Sequence, residues 1–434
     1  MSKKELPIVS VKLDSIVGGG RAIGTLPDGC KIFVWGGLPG ETVNVQITKK
    51  KSKLAEGIVT EVVEPSNERV KPQDPDSYLS TSPWQIMSFD AEQNYKAALI
   101  EEAFELHDIV LPEVIEVYTD KKQFGYRNKI EYSWWWNKDT EKLDLAFFGR
   151  GSHSKISVEA TSLANDKITQ TSIAMRDILR KLEAKAYDLK TMLIRSDKSD
   201  NVVVQLYVKT ENFSPISEAE IKKLGIKGFE LIYSNPKSPA SVITKKLQTY
   251  GDTSLTDTIL KVPFNYAVDG FFQINLPVYE QALKDMKKWV NKDKPTVDLY
   301  SGVGTIGLTI GGEKLTLIES SEAAVTEMRR NITLLKRDDN TEAILSPSEK
   351  VLDYITKEST IIVDPPRVGL HEDIIYKLLD EAPERIIYLS CNPVTQARDV
   401  ARLAEKYGVR YHRGYNFFPR TPHIEHLVIL DLKK

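Results

Sequence analysis

The chain has 434 residues, and its 59 basic and 61 acidic side chains leave a formal net charge of −2. Hydrophobic residues make up 41% and charged residues 28%, which is typical of globular proteins with an apolar core. This balance excludes binding of nucleic acid through bulk charge, so any nucleic acid would bind through local basic patches.

The sequence also argues against a membrane or secreted protein. No apolar run reaches the roughly 18 residues of a membrane-spanning helix, and the N-terminus MSKKELPIVSVKLD has no apolar signal-peptide core. Cys30 and Cys391 are the only cysteines, which excludes a disulfide framework and a cysteine-ligated metal cluster. The six histidines show no metal-ligand spacing. We therefore expect a cytoplasmic protein of two to four domains without a metal site.

The first two-thirds of the chain predict two regions rich in β-strands. Residues 8–65 contain short β-rich runs such as KIFVWG and ETVNVQIT, separated by Gly, Pro and Asp turns, and they predict a small β-barrel. The Pro- and Ser-rich stretch 66–84 predicts a linker, and the spacing of apolar residues predicts a helix over 89–106. Short strands with helices between them then predict an α+β middle domain over about 124–262.

After about residue 263 apolar strands alternate with helices. The runs TVDLY, KLTLIE, STIIVDPP and RIIYLSC predict a parallel sheet with helices on its faces. The closing runs GYNFF and HIEHLVILDL predict an antiparallel hairpin at the edge of that sheet. The predicted fold class is therefore α/β, with a Rossmann-like C-terminal domain after a β-barrel and an α+β domain.

Special residues follow all four predicted parallel strands. They are the turn SGVGTIG, then Glu319, then Asp364 in DPPR, and then Cys391 before Asn-Pro. Ligands of open α/β sheets bind beyond the carboxyl ends of the strands, so we expect these residues to face one crevice.

The glycine turn predicts a nucleotide cofactor. The run from Gly302 to Gly307 matches GxGxxG, and Glu319 ends the next strand, where it can accept hydrogen bonds from ribose hydroxyls. A nicotinamide dinucleotide fits poorly, because the motif leaves too little sequence for a six-stranded dinucleotide sheet. S-adenosylmethionine needs the same turn and carboxylate without a pyrophosphate site, and it fits better. A plain strand-to-helix turn is the simplest alternative.

Cys391 and Glu425 suggest carbon methylation of a pyrimidine. A thiolate, a strong nucleophile near neutral pH when its pKa is lowered, can add to carbon 6 and make carbon 5 nucleophilic. The carbon-5 proton must then leave, which requires a base. Glu425 stands in an otherwise apolar strand, where partial burial would raise its pKa. A free buried cysteine and a glutamate on the solvent face of the strand are the alternatives.

Together these residues resemble the RNA uracil-5-methyltransferase family, the S-adenosylmethionine-dependent enzymes that form 5-methyluridine in tRNA and 23S rRNA. The motifs that carry the resemblance stand in the family's order and cover nearly the whole chain: DGFFQIN, DLYSGVGTIGL, IIVDPPRVGL, LSCNPVTQARD and FFPRTPHIEHLVIL. The N-terminal runs GGGRAIG and LPGETVNVQI resemble the TRAM domain, an OB-like barrel that binds RNA. YRNKIEYS, from Tyr126 to Ser133, resembles the family's RNA-binding strand.

The resemblance implies roles for individual residues. It makes Cys391 the nucleophile and Glu425 the base. It assigns the S-adenosylmethionine site to Gln273, Tyr300, Thr305, Glu319 and Asp364. Family members commonly have Cys and Asn where Ser301 and Thr305 stand here, so the contact at Thr305 differs from the family pattern.

The resemblance also implies a domain organisation. We expect a TRAM-like barrel over 1–65, a central RNA-binding domain over 66–262, and a class I methyltransferase domain over 263–434. We also expect a helix near 95–123 to pack against the catalytic domain. Many members with a TRAM domain ligate an iron–sulfur cluster with four cysteines, but the matching stretches here contain none, so no cluster is expected.

The expected function is methylation of carbon 5 of a specific uridine, with the TRAM-like barrel favouring 23S rRNA over tRNA as the substrate. A tRNA uridine-5-methyltransferase is the first alternative. An amino-group methyltransferase acting on adenine would need no thiol, and a non-catalytic RNA-binding protein would not bind S-adenosylmethionine.

Overall fold

The computed structural model describes residues 7–151 and 154–434. Its N-terminal strands form a closed barrel in the order β1-β2-β3-β5-β4. Alternate residues such as Val43, Val45 and Ile47 point into the barrel and are buried, as expected for strands with one apolar face. The barrel predicted from the sequence is confirmed. Its strands are β1 (Ile8–Val17), β2 (Arg21–Thr25), β3 (Lys31–Trp35), β4 (Thr42–Lys50) and β5 (Leu54–Glu64).

The segment after the barrel differs from the prediction in two ways. The expected linker contains a short helix and a buried 3-10 turn, and the helix expected near 95–123 ends at Glu105. Asp108, with a φ of 56°, turns the chain away in the left-handed conformation that often ends helices. The chain then adds a strand to the C-terminal sheet beside β21. The elements are α1 (Tyr78–Thr81), the 3-10 turn Pro83–Ile86, α2 (Phe89–Glu105) and β6 (Val117–Tyr118).

The middle region is a seven-stranded sheet in the order β13-β12-β11-β10-β7-β8-β9. Only β11 and β12 run parallel, and α3 packs on β8 and β10. The elements are β7 (Lys129–Asn137), β8 (Lys142–Phe148), β9 (Lys155–Val158), α3 (Asp166–Lys181), β10 (Leu189–Ser196), β11 (Val202–Val208), α4 (Glu218–Lys223), β12 (Gly228–Tyr233) and β13 (Lys245–Gly251). A separate hairpin, β14 (Ser254–Ile259) with β15 (Val262–Ala267), follows, and the domain boundary expected after residue 262 falls inside it.

The C-terminal sheet has the order β18-β17-β16-β19-β20-β22-β21-β6. Its first five strands are parallel, whereas β22 runs antiparallel between β20 and β21. The predicted terminal hairpin is present, but it is not at the edge, because β6 pairs beyond β21. Strand β20 is buried on both faces, as expected where helices cover the sheet.

Helices and strands alternate along this C-terminal region. They are α5 (Leu276–Lys287), β16 (Thr296–Leu299), α6 (Thr305–Ile310), β17 (Leu315–Glu319), α7 (Glu322–Leu334), β18 (Thr341–Leu345), β19 (Thr360–Val363), α8 (Glu372–Glu381), β20 (Arg385–Ser390), α9 (Pro393–Leu403), β21 (Tyr407–Tyr415) and β22 (Glu425–Leu432), with 3-10 turns at Ser348–Lys350 and Leu352–Tyr354. Within the described residues, no helix combines the length and the apolar character needed to cross a bilayer.

Candidate active site

The order of the C-terminal sheet brings the special residues to one edge. Strands β17, β16, β19 and β20 are adjacent and parallel, so Glu319, the glycine turn, Asp364 and Cys391 lie beyond neighbouring carboxyl ends. Because β22 is antiparallel to β20, its first residue lies at this same edge. Ser390 pairs with His426, which places Glu425 beside Cys391. The structure therefore gathers these groups at one crevice.

The turn after β16 is held in a left-handed conformation. Tyr300, Gly302 and Gly304 have φ values of 62°, 56° and 84°. The amide of Gly302 donates to Glu319 Oε2 at 3.0 Å, while Glu319 Oε1 accepts the amide of Ser321 at 2.8 Å. These bonds join the turn to the end of β17. They hold the carboxylate of Glu319 beyond the carboxyl ends of the strands, where ligands bind in Rossmann-like folds.

Two observations test whether an adenosine cofactor fits this turn. A Cβ added at Gly302 meets no atom within 4 Å, so the space beside this glycine is open. Asp298 Oδ2 accepts the amide of Gly307 at 2.8 Å, whereas the buried Oδ1 has no partner among the described groups. Burial raises the pKa of Asp298 to about 8. The unpaired carboxyl oxygen of Asp298 and the carboxylate of Glu319 suit a ligand that carries hydroxyl and ammonium groups.

Of the other expected cofactor residues, Tyr300 and Thr305 lie at the same turn. Thr305 begins α6, and its hydroxyl lies 2.8 Å from the hydroxyl of the buried Tyr279. Gln273 is buried, and its backbone carbonyl accepts a hydrogen bond from Asn128 Nδ2 at 3.3 Å. Burial raises the pKa of Tyr300 to about 12, so its hydroxyl stays protonated near neutral pH. Thr305 has its hydroxyl engaged with Tyr279, a contact that the sequence did not predict.

Cys391 is partly buried, and its environment makes the thiol less acidic. Burial, followed by the negative charges of Glu425 and Asp364, raises its pKa to about 11, and only Arg367 acts in the opposite direction among the neighbouring charges. The pKa of Cys391 is therefore raised, not lowered, in the protein without substrate. At pH 7 only about one molecule in 10,000 would carry the thiolate.

Glu425 and Asp364 are neighbouring carboxyl groups, of which Glu425 is buried and Asp364 is partly buried. Glu425 is 5% exposed, which excludes the alternative of a glutamate on the solvent face of the strand. Burial and the charge of Asp364 raise the pKa of Glu425 well above its usual range. Burial raises the pKa of Asp364 to about 7. A glutamate with a raised pKa next to a cysteine can take up a proton near neutral pH.

Cys391 opens onto a cleft of about 710 Å³ between the barrel, α2 and the catalytic edge. Three arginines line it: Arg127, Arg150 and Arg367. The guanidinium of Arg150 lies 4.1 Å from the ring centre of Trp35 on the barrel. Arg367 Nη2 lies 3.2 Å from His423 Nδ1. A cleft with cations and an aromatic face matches the chemistry of a single-stranded nucleic acid.

Only part of the predicted RNA-binding strand faces this cleft. Arg127 lines it, whereas Tyr126 and Lys129 of the motif bind groups inside the protein. Tyr126 donates its hydroxyl to the carbonyl of Pro419 at 3.0 Å, and Lys129 Nζ donates to the carbonyl of Gly270 at 3.3 Å. These contacts join the middle region to the C-terminal region.

Sequence reasoning missed several cleft residues. Trp35 and Arg150 are far apart in the chain and belong to no motif, so only the folded chain brings them together. Arg367 directly follows the Asp-Pro-Pro turn, and its position was a usable signal.

The stretches in which the resemblance would place cluster ligands are joined by hydrogen bonds. Asp74 accepts bonds from the amide and hydroxyl of Ser162, from the hydroxyl of Thr161 and from Gln85 Nε2. In residues 7–151 and 154–434 no group of three or more His, Cys, Asp or Glu side chains is arranged to hold a metal ion.

Comparison with known proteins identifies the family. The family model described as tRNA (Uracil-5-)-methyltransferase matches residues 89–433, and the TRAM domain model matches residues 9–60. An uncharacterized RNA methyltransferase of Fusobacterium nucleatum is 30% identical, with 98% of this chain and 96% of the relative covered. An uncharacterized RNA methyltransferase of Enterococcus faecalis is 27% identical, with 98% of both chains covered.

A solved structure has the same overall fold. The crystal structure of Pyrococcus abyssi tRNA (uracil-54, C5)-methyltransferase in complex with S-adenosyl-L-homocysteine superposes with a TM-score of 0.79 at 22% identity. The match covers 97% of this chain and 100% of that chain, so the likeness includes all three parts of the molecule. With its family model matched over most of its length, this chain belongs to the tRNA (Uracil-5-)-methyltransferase family of RNA methyltransferases.

Proposed function

We propose that the protein methylates carbon 5 of a specific uridine in RNA and uses S-adenosylmethionine as the methyl donor. One observation carries this proposal. Cys391 directly follows the parallel strand β20, whose last residue, Ser390, pairs with His426, and the buried Glu425 immediately precedes His426 at the start of the antiparallel strand β22. Amino-group methylation needs neither a thiol nor a buried base, whereas carbon-5 chemistry needs both.

Each of the two residues has one task. Cys391 Sγ adds to carbon 6 of the uracil, and the electrons of the C5–C6 double bond move toward the carbonyl at carbon 4, which makes carbon 5 nucleophilic. S-adenosylmethionine supplies a methyl group on a sulfonium sulfur. Glu425 then removes the proton from carbon 5, the double bond reforms, and Cys391 leaves as a thiolate.

The neighbouring carboxylates explain how the thiol is controlled. Burial, and then the charges of Glu425 and Asp364, raise the pKa of Cys391, because a thiolate is disfavoured away from water and beside negative charge. Asp364, whose pKa is raised to about 7, is a suitable acceptor for the thiol proton when uridine arrives, which leaves Glu425 free to take the proton from carbon 5. The positive charge of Arg367 acts in the opposite direction, because it stabilises the thiolate of Cys391.

The expected cofactor residues surround the glycine turn. In this proposal Glu319 accepts hydrogen bonds from the ribose hydroxyls, and the open space beside Gly302 admits the ligand backbone. Gln273, Tyr300, Thr305 and Asp364 complete the site, in agreement with the sequence resemblance. The relative from Pyrococcus abyssi was solved with S-adenosyl-L-homocysteine, which supports the same class of cofactor here.

The cleft beside Cys391 is the proposed RNA site. Arg127, Arg150 and Arg367 supply positive charge for phosphates, and Trp35 supplies a ring for base stacking. The target uridine must leave its stack to reach Cys391. The TRAM domain favours 23S rRNA as the substrate, whereas the fold likeness to an enzyme of tRNA uracil 54 makes tRNA the second candidate.

A trapping experiment tests the chemistry and the substrate together. Transcripts of tRNA and of 23S rRNA fragments that contain 5-fluorouridine are incubated with the enzyme and S-adenosylmethionine. Because fluorine cannot leave as a cation, we expect a protein–RNA complex that survives denaturation. The complex should be absent with Cys391→Ala, and the RNA that forms it is the substrate.

Two results would contradict the proposal. One is methyl transfer to unmodified RNA by Cys391→Ala at the wild-type rate, which would point to amino-group chemistry. The other is a 5-fluorouridine complex that persists in Cys391→Ala, which would assign the nucleophile elsewhere.

A further inference from the structure

Three fully buried charged side chains lie beneath the loop that leads to the proposed base. The connecting loop, defined as residues 416–424, joins β21 to β22 and ends immediately before Glu425. Glu92 and Lys96 on α2 are 0% exposed, and Arg420 in the loop is 2% exposed. Burial of a charged group is costly unless the group is paired and hydrogen-bonded. The contacts of these three side chains therefore favour one arrangement of the helix and the loop.

Glu92 binds the connecting loop through both carboxylate oxygens. Each oxygen accepts the backbone amide of Arg420 at 3.0 Å, Oε2 also accepts Arg420 Nη1 at 3.3 Å, and Oε1 accepts Asn416 Nδ2 at 2.8 Å. Lys96 Nζ lies 3.1 Å from Glu92 Oε1 and donates to Asn416 Oδ1 at 2.5 Å. Helix α2 therefore binds the loop at Asn416 and again at Arg420.

The backbone of the loop depends on these contacts. Arg420 has a φ of 64°, the left-handed region that a residue other than glycine rarely adopts. Its guanidinium donates to the carbonyls of Gln85 and Met87 at 3.1 and 2.5 Å, while Lys96 donates to the carbonyl of Phe418 at 3.2 Å. A strained backbone persists only where its surroundings hold it in place.

The barrel touches the same loop. Trp84 donates its backbone amide to the carbonyl of Arg420 at 3.1 Å and its Nε1 to the carbonyl of Gly20 at 2.9 Å. A Cβ added at Gly20 would lie 2.1 Å from Cβ of Pro422, so the barrel backbone is in direct contact with the loop. Close packing against Pro422 thus explains why a glycine, without a Cβ, stands at position 20.

We propose that Glu92, Lys96 and Arg420 are positioning residues. They hold the connecting loop so that the carboxylate of Glu425 reaches the proton on carbon 5 of the substrate. The barrel contact at Gly20 helps to hold the loop in the same position. This inference rests on the proposed function. The step that depends on it is the last one. Glu425 takes the proton, the electron pair restores the C5–C6 double bond, and the C6–S bond breaks to release Cys391 as a thiolate.

The test separates positioning of the base from simple loss of folding. Wild type, Glu92→Gln and Gly20→Ala are given unmodified substrate RNA with S-adenosylmethionine, and the reactions are stopped in denaturant. Slow proton removal makes the methylated protein–RNA adduct accumulate, so we expect a gel-shifted band in both variants. We also expect kcat to fall roughly 10- to 100-fold with little change in KM for RNA, as for a displaced catalytic group.

Gly29→Ala is the matched control for Gly20→Ala. Gly29 also lies in the barrel with a φ of 81°, but a Cβ there meets no atom within 4 Å. Both substitutions strain a left-handed glycine, but only Gly20→Ala presses on the loop. We expect Gly29→Ala to lose only the stability that the strained backbone costs, to retain wild-type kcat, and to show no adduct.

Several outcomes would overturn the inference. A fall in kcat without adduct in Gly20→Ala, or equal adduct in Gly29→Ala, would show that the loop does not position the base. Thermal unfolding of every variant checks the fold, and Gly20→Ala decides the question if Glu92→Gln does not fold. If wild type forms no Cys391-dependent complex with 5-fluorouridine RNA, the proposed function fails; if it does and the variants accumulate nothing, this inference alone fails.

Discussion

Removal of the charge of Glu425 should make Cys391 more acidic. The pKa of Cys391 is raised from 9.0 to about 11 by burial first, and then by the charges of Glu425 and Asp364. Glu425→Gln removes the second of these causes and leaves the other two. We therefore expect the pKa to fall by roughly 0.5–1 and to stay above 9, which corresponds to about 0.7–1.4 kcal/mol less destabilisation of the thiolate.

Alkylation of the thiol measures this change without RNA or cofactor. The rate of reaction with iodoacetamide is followed by intact mass from pH 7.5 to 11, and the pKa is taken from a fit of the rising rate to a single titration. At pH 9 the thiolate fraction should rise about 3- to 10-fold in Glu425→Gln. The gain in rate will be somewhat smaller, because a less basic thiolate is a weaker nucleophile.

Two further variants make the result interpretable. Cys391→Ala gives the background from Cys30, which is buried in the barrel core. Glu102→Gln removes a carboxylate that also lines the cleft but is not among the causes of the raised pKa, so its profile should match that of wild type. An unchanged or higher pKa in Glu425→Gln, or a wild-type pKa below 9, would refute the electrostatic account of this site.

Three other predictions follow from the geometry. Arg150→Ala should weaken RNA binding and reduce the slope of log K against log salt by about 1, measured by titration at several KCl concentrations; an unchanged slope would mean that Arg150 contacts no phosphate. Asp74→Ala should lower the free energy of unfolding by about 2 kcal/mol in urea denaturation, because it removes bonds from Ser162 and Thr161 to a charged acceptor, and an unaltered midpoint would contradict this. Since the reactive forms of Cys391 and Glu425 are ionised and both pKa values are raised, kcat/KM should increase from pH 7 to 9, and a flat profile would argue against both roles.

The arrangement of the site suggests why the enzyme keeps its nucleophile weak at rest. A thiolate exposed in a cleft is prone to oxidation and alkylation. Burial and the charges of Glu425 and Asp364 raise the pKa of Cys391 to about 11, so the thiol is protonated near neutral pH. The same carboxylates can then accept protons, so the features that suppress the free thiol also serve the reaction.

Much of the fold and of the candidate site could be predicted from local sequence. The alternation of apolar residues predicted the barrel, and the alternation of strands and helices predicted the parallel sheet. A parallel sheet places all its carboxyl ends on one side, so the positions of Glu319, Asp364 and Cys391 after successive strands were enough to predict a common crevice. These features depend on periodicity and chain order, which a sequence displays directly.

Only the tertiary structure decided the properties that depend on neighbours distant in sequence. Whether Glu425 is a base or a solvent-facing residue depends on its antiparallel pairing beside β20, and the pKa of Cys391 depends on carboxylates that this pairing brings close. The helix expected to reach residue 123 ends at Glu105, because the chain turns at Asp108 and adds a strand to the distant sheet.

The cleft shows the same division. Trp35 and Arg150 meet only because the barrel is closed and packed against the middle region, and neither lies in a recognisable motif. The contact of Gly20 with Pro422 likewise joins residues from opposite ends of the chain. Local sequence determined which chemical groups this protein carries and the order of its strands. Long-range packing determined which groups meet, and burial and Coulomb interactions between them set their reactivity.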